Sequence, residues 1–248
     1  MRLAGKIALV TGAGGGFGAG IARAFAAEGA RIVAADLDEA AAQAVATETG
    51  GVAVRGDVSR AADVAAMVQA AQDRFGGLDV VVNNAGTTHR NQPLLEVDEA
   101  TFDRIYAVNV RSIFHMAQAA VPVLRRQGRG GSIVNISSTA GLRPRPGLVW
   151  YNGTKGAVNA ITLSMAIELA PDNIRVNAVC PVLGGTGITE AFIGGPATPE
   201  TMQRFLATIP LGRMSTPADV ANACVFLAED ASAFLTGVLL PVDGGRIA

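Results

Sequence analysis

Half of the 248 residues are hydrophobic and 17% are charged, which suits a sheet covered on both faces within one α/β domain. A net charge of −1 gives no electrostatic case for nucleic acid, and no run of about 18 apolar residues is present to span a membrane. Cys180 and Cys224 lack metal-ligand spacing and read as free, reduced core thiols; with no signal-peptide pattern and no linker-like change in composition, a single cytoplasmic domain is expected.

Along the chain, Ile7-Ala8-Leu9-Val10 predicts a buried strand. It runs into Thr11-Gly12-Ala13-Gly14-Gly15-Gly16-Phe17-Gly18 and then a helical pattern through Ile21 and Phe25. Strand, glycine turn and helix together suit a nucleotide: glycines let the backbone approach a pyrophosphate, and the helix N-terminus offers free N–H groups. A second strand, Arg31 to Ala35, ends at Asp36, placed to accept hydrogen bonds from an adenosine ribose. A carboxylate there repels the 2′-phosphate of NADP, and neither Leu37 nor the glycine loop supplies a compensating cation. NAD(H) is therefore the expected cofactor.

A helix from Glu39 to Thr49 and a strand at Val52 to Val54 follow. Asp57-Val58-Ser59 comes next, with Ser59 expected to cap a helix from Ala61 to Phe75. Gly76-Gly77 stops that helix, and Leu78 to Val82 predicts a strand. One long helix is expected from about Glu99 to Gln127, then a strand from Ser132 to Ile136, a helix carrying Tyr151 to about Leu169, and a strand from Arg175 to Val179. Thr216 and Asp219 resemble a capping pair for a helix through Ala221 to Leu227, and Val238 to Leu240 is the last strand. Seven strands alternating with helices argue a doubly wound parallel sheet of Rossmann type, with its active site at the carboxyl ends of the strands.

Tyr151 and Lys155 are four residues apart, so a helix presents both on one face. A lysine ammonium ~4 Å from a phenol at an effective dielectric of ~20 favours the phenolate by about 4 kcal/mol. That is roughly three pKa units and predicts a tyrosine near neutrality, suited to general acid/base work. Ser138 lies upstream on the loop after the fifth strand.

Taken together, these residues resemble the short-chain dehydrogenase/reductase family in its compact form. The matching features are the Thr-Gly-x-x-x-Gly-x-Gly loop, Asp57-Val58, Asn83-Asn84-Ala85-Gly86, Asn109, Ser138, Tyr151, Lys155, Arg175-Val176-Asn177-Ala178 and Asp243-Gly244-Gly245. The resemblance implies that Tyr151 exchanges the proton on the substrate oxygen and that Ser138, rather than Ser137, positions that oxygen. It implies that Lys155 lowers the tyrosine pKa and holds the nicotinamide ribose, and that Asn109 helps hold a proton-relaying water. Cofactor contacts would come from Gly12, Gly16, Phe17, Gly18, Asp36, Leu37, Asp57, Val58, Asn84, Ala85, Gly86, Tyr151 and Lys155. Pro181, Gly184 and Thr186 would add to them, although Pro181-Val182-Leu183-Gly184-Gly185-Thr186 departs from the family's Pro-Gly-x-Val/Ile-x-Thr. The glycines around Thr186 suggest a mobile lid over about 184–212. The resemblance also implies a homotetramer built on the long helix and the Tyr151 helix.

Two loops flank the expected pocket, Thr87 to Asn91 and Thr139 to Trp150. His89, Arg90, Arg143 and Arg145 in them suit an anionic substrate group, the alternative being solvated or interface arginines. The loops are similar to those of a bacterial subgroup that includes dehydrogenases of sulfonated benzyl alcohols. The expected activity is oxidation of a secondary or benzylic alcohol or the reverse reduction. A 3-oxoacyl-thioester reductase, a polyol or sugar dehydrogenase, and a non-catalytic NAD sensor are the alternatives.

Overall fold

The computed structural model describes residues 1–185 and 187–248. Seven strands form one parallel sheet: β1 (Ile7–Thr11), β2 (Arg31–Asp36), β3 (Val52–Arg55), β4 (Val80–Asn83), β5 (Gly131–Ile136), β6 (Ile174–Pro181) and β7 (Leu239–Val242). Their order is β3-β2-β1-β4-β5-β6-β7, so the chain reverses direction across the sheet between β1 and β4. Leu9 pairs with Val33 on one side and Val81 on the other. The helices are α1 (Gly16–Ala27), α2 (Glu39–Thr49), α3 (Ala61–Phe75), α4 (Glu99–Tyr106), α5 (Ser112–Gln127), α6 (Val149–Leu169), α7 (Thr189–Ile193), α8 (Pro199–Leu206) and α9 (Pro217–Ala228).

The two-residue period of a strand explains how unbroken apolar runs serve two faces. Ala8, Val10, Ile32, Ala34 and Val82 pack with Ile21 and Phe25 of α1 and Val220, Val225 and Leu227 of α9. Ile7, Leu9, Val33, Val81 and Ile133 pack with Met67 of α3, Met116 and Leu124 of α5 and Ala166 of α6. A third cluster joins Leu148 and Tyr151 to Val182, Leu183, Phe192, Phe205 and Ile209. It seats the region of α7 and α8 over the catalytic helix.

Three local expectations change. Ser59 does not cap α3, whose N-cap is Arg60 without a side-chain bond. Instead the Asp57 carboxylate accepts from Ser59 N at 2.8 Å, and Asp63 accepts from Asp57 N at 2.9 Å, so two acids fasten that turn. The fourth strand begins at Val80 rather than Leu78, because the Leu78 backbone is held by the Gln127 amide. The long helix is interrupted by a π-turn at Ala107–Arg111, between α4 and α5. Such bulges recur at functional sites, and this one contains Asn109. The capping box of Thr216 and Asp219 on α9 forms as expected.

Candidate active site

A cavity of about 340 Å³ opens at the carboxyl edge of the sheet, where β1 and β4 adjoin. The glycine loop forms one side with Gly12, Gly15, Gly16 and Phe17, and Asn84, Ala85 and Gly86 form the floor. Ser138, Tyr151 and Lys155 stand across from them, with Pro181 and Gly184 at the end of β6. The sequence therefore brings most of its expected site residues to one place.

α1 begins at Gly15 with no side-chain cap and no acid in its first turn, leaving its N–H groups available to an anion. A Cβ on Gly15 would meet no protein atom within 4 Å, so its missing side chain leaves room on the cavity side. Gly18 serves a different purpose: a Cβ there would run into the Gly12 carbonyl, so Gly18 allows the loop to close on its own helix and does not face the cavity. Asp36 Oδ2 accepts from Gly14 N at 2.8 Å, which ties the end of β2 to the loop. Asp36, Leu37 and Asp57 lie outside the cavity at the β2 and β3 end, and Leu37 is exposed. Thr186 lies outside the described residues. Gly184 is explained by packing, since a Cβ would stand 2.5 Å from the Phe17 ring.

Ser138 begins the short turn Thr139–Gly141, and its Oγ accepts from Ala140 N at 3.1 Å. That bond leaves the hydroxyl proton to point at the phenol or a substrate oxygen. Ser137 is occupied elsewhere: its Oγ donates to Asn159 Oδ1 at 2.6 Å. The spacing argument for Ser138 thus agrees with the hydrogen bonding.

The ionisation of Tyr151 differs from the expectation. Burial pushes the phenol up to about 12, with Ser138 pulling the other way. Burial lowers Lys155 to about 8. Lys155 Nζ lies 5.8 Å from the Tyr151 ring centre and donates to the Ile136 carbonyl at 2.9 Å. The assumed close approach is not realised, so desolvation outweighs the attraction. Tyr151 stands here as a neutral acid.

Asn109 is fully buried in its bulge. Its Nδ2 donates to Thr87 O at 2.8 Å and Thr154 Oγ1 at 3.0 Å, and its Oδ1 accepts from Thr87 N at 2.8 Å. The side chain therefore ties the loop after β4 to α6. Beside it lies a cavity of about 10 Å³ lined by Val58, Asn83, Asn109, Ser112 and Lys155 among others, near the size that holds one water. Val58, expected at the cofactor, faces this smaller space.

None of the four expected substrate residues lines the main cavity. Arg90 donates through Nε and Nη2 to the Gly194 carbonyl, at 3.2 and 3.1 Å. Arg143 donates to the Arg246 carbonyl, and His89 Nδ1 bonds the Arg90 carbonyl. Arg145 packs against the rings of Phe192 and Phe205. The loop after β4 instead latches α7, since Asn91 N also donates to Ala191 O at 2.8 Å. The residues that do complete the wall are Thr87, Leu183, Ile188 and Phe192, which the sequence reading passed over. Phe192 meets the Tyr151 ring edge-on at 5.8 Å.

The family model described as enoyl-(acyl carrier protein) reductase matches residues 12–246. The 4-formylbenzenesulfonate dehydrogenase of Comamonas testosteroni is 49% identical, with 99% of each chain covered. The 2-(S)-hydroxypropyl-CoM dehydrogenase 3 of Xanthobacter autotrophicus is 39% identical over 100% of this chain and 98% of its own. Among solved structures, a 3-ketoacyl-(acyl-carrier-protein) reductase from Brucella melitensis complexed with NADH superposes with a TM-score of 0.93 at 45% identity, covering 99% of this chain and 100% of the other.

Proposed function

The chain belongs to the short-chain dehydrogenase/reductase family, and from that premise we propose an NAD(H)-dependent dehydrogenase that interconverts a secondary or benzylic alcohol and its ketone or aldehyde. The observation that carries this reading is the one cavity shared by the glycine loop and by Ser138, Tyr151 and Lys155. The residues fit the cofactor: the uncapped start of α1 and the open space at Gly15 suit a pyrophosphate, and Asp36 suits a ribose with free hydroxyls. When bound, the nicotinamide supplies the hydride acceptor or donor. Tyr151 exchanges the proton on the substrate oxygen, and Ser138 hydrogen-bonds that oxygen and orients it. Lys155 holds the ribose side of the site, and with Asn109 it borders the small cavity through which a water passes protons onward. Residues at about 184–212 act as a lid that brings Phe192 over the substrate.

A screen of neutral and acidic alcohols, followed by NADH absorbance, tests the activity. The 45% identity to the Brucella reductase supports a 3-oxoacyl-thioester reductase as the second reading, and turnover of such thioesters in preference to every alcohol would select it. For the cofactor, kcat/KM with NAD is expected to exceed that with NADP by about a hundredfold. Asp36→Ser is expected to narrow the gap by about tenfold or more, through loss of ribose hydrogen bonds and of repulsion. A wild-type preference for NADP would end the NAD reading.

We also propose a cytoplasmic homotetramer. Phe114 on α5 and Leu163 and Ile167 on α6 are apolar yet exposed, Ile167 at 79%. A patch of that kind marks an association surface, and the two free cysteines are buried, which suits a reducing compartment. Sedimentation is expected to give four chains per particle for the wild type and smaller species for Ile167→Asp; a monomeric wild type would refute the assembly.

A further inference from the structure

Three arginines gather behind the wall that Phe192 gives to the cavity. The Arg145 guanidinium carbon lies 5.3 Å from the Phe192 ring centre and 5.0 Å from that of Phe205. Arg246, near the end of the chain, stands 5.8 Å from the same Phe205 ring. Arg143 joins them by donating to the Arg246 carbonyl at 3.1 Å. None of the three forms an ion pair among the described residues. Asp243 offers Arg246 a partial counter-charge, but its carboxylate is already held by Gly245 N and Ile247 N.

Arg145 carries the argument furthest. Its Nη1 is buried and has no hydrogen-bond partner. Burial first, and then the charge of Arg246, holds its pKa below the ordinary arginine value. Aromatic faces steady a guanidinium but accept no hydrogen bond in the plane of its fork. A half-buried cation with an unmatched donor, beside two more cations, is an unfavourable arrangement that an incoming anion relieves. The link to the reacting centre is Phe192, which lines the cavity, meets the Tyr151 ring edge-on and lies under Arg145.

We propose that Arg145, backed by Arg143 and Arg246, binds the distal acid group of the alcohol substrate, a carboxylate or sulfonate, while the hydroxyl end lies at Tyr151 and Phe192 packs against the body between them. This rests on the dehydrogenase reading above. A planar guanidinium fork matches two oxygens of either acid, and a rigid aryl body keeps the acid and hydroxyl ends apart. Arg90 is no part of this site, because both nitrogens that bond are committed to Gly194.

The test compares benzyl alcohol with its 4-carboxylate and 4-sulfonate derivatives as substrates of the full chain with NAD, and measures benzenesulfonate and inorganic sulfate binding by calorimetry. The wild type is expected to show a KM for the acidic alcohols about tenfold or more below that for benzyl alcohol. Arg145→Met and Arg246→Met are expected to raise the acidic KM by about tenfold while changing kcat/KM for benzyl alcohol by less than about twofold. Arg145→Lys, which keeps the charge and loses the fork, should fall between. Equal losses on acidic and neutral alcohols would mark the cluster as structural and overturn the proposal. So would inorganic sulfate binding as tightly as benzenesulfonate, which points to a free-anion site. If no alcohol is turned over, the dehydrogenase reading fails by itself. Calorimetry then still decides: benzenesulfonate binding that Arg145→Met abolishes upholds the site, and its absence in the wild type removes it.

Discussion

Tyr151→Phe is expected to lower turnover by about a hundredfold to ten-thousandfold, the range by which a positioned acid/base accelerates proton transfer. NADH affinity should stay within about threefold, because the ring keeps its edge-on contact with Phe192 and its place in the cluster with Leu148 and Val182. The phenol oxygen is what the substitution removes. Burial pushes that phenol up to about 12, so it begins as the neutral acid that reduction of a carbonyl needs. Oxidation of an alcohol needs the proton to leave, and Lys155, lowered to about 8, is the neighbouring group that titrates nearest neutrality. Alcohol oxidation is therefore expected to run faster at about pH 9 than at about pH 6, and carbonyl reduction to show the opposite trend. The measurement is kcat/KM in both directions for wild type and variant, with NADH binding by fluorescence. A Tyr151→Phe protein that keeps a tenth of its activity would remove Tyr151 from the chemistry.

The features legible in the sequence are those that neighbouring residues encode by themselves. Apolar runs such as Ile7 to Val10 announce buried strands, and the Thr216–Asp219 box and the glycine loop with Asp36 carry their geometry in short spacings. What needed the fold was of another kind. Nothing in the periodicity from Glu99 to Gln127 marks a π-turn, which places Asn109 where it can bond Thr87 and Thr154 from distant elements. The spacing of Tyr151 and Lys155 makes them neighbours but says nothing of burial, and burial set both pKa values. Arg90 and Arg143 looked free because the carbonyls they meet, Gly194 and Arg246, are about a hundred residues away in sequence. Phe192 was missed because α7 has five residues, too few for a helical pattern to register.

Lys155→Met is expected to cost about a thousandfold or more in kcat/KM and yet leave the protein no less stable at neutral pH. The lysine is buried with its ammonium on a single carbonyl, Ile136 O at 2.9 Å. Burial lowers it from 10.5 to about 8. Below about 8 the folded protein bears the full cost of a charge out of water, roughly 3 kcal/mol from a shift of that size. The bond to Ile136 offsets part of it, since hydrogen bonds to charged groups contribute about 1.5–3 kcal/mol. Between about 8 and 10.5 the unfolded chain keeps a proton that the folded protein has released, so wild-type stability rises with pH across that window. Methionine keeps the apolar stem and has no proton to lose. The melting temperature of Lys155→Met relative to wild type should therefore be highest at about pH 7 and decline as pH approaches about 10. Above that range Tyr151, raised to about 12, acts in the opposite sense and lowers stability as pH rises, so the comparison belongs below it. A relative melting temperature that climbs with pH, or a methionine variant that retains turnover, would show that the charge of Lys155 is neither costly to bury nor required for the reaction. The expected pair of results, inactive and undiminished in stability, marks a residue kept for chemistry at the expense of the fold.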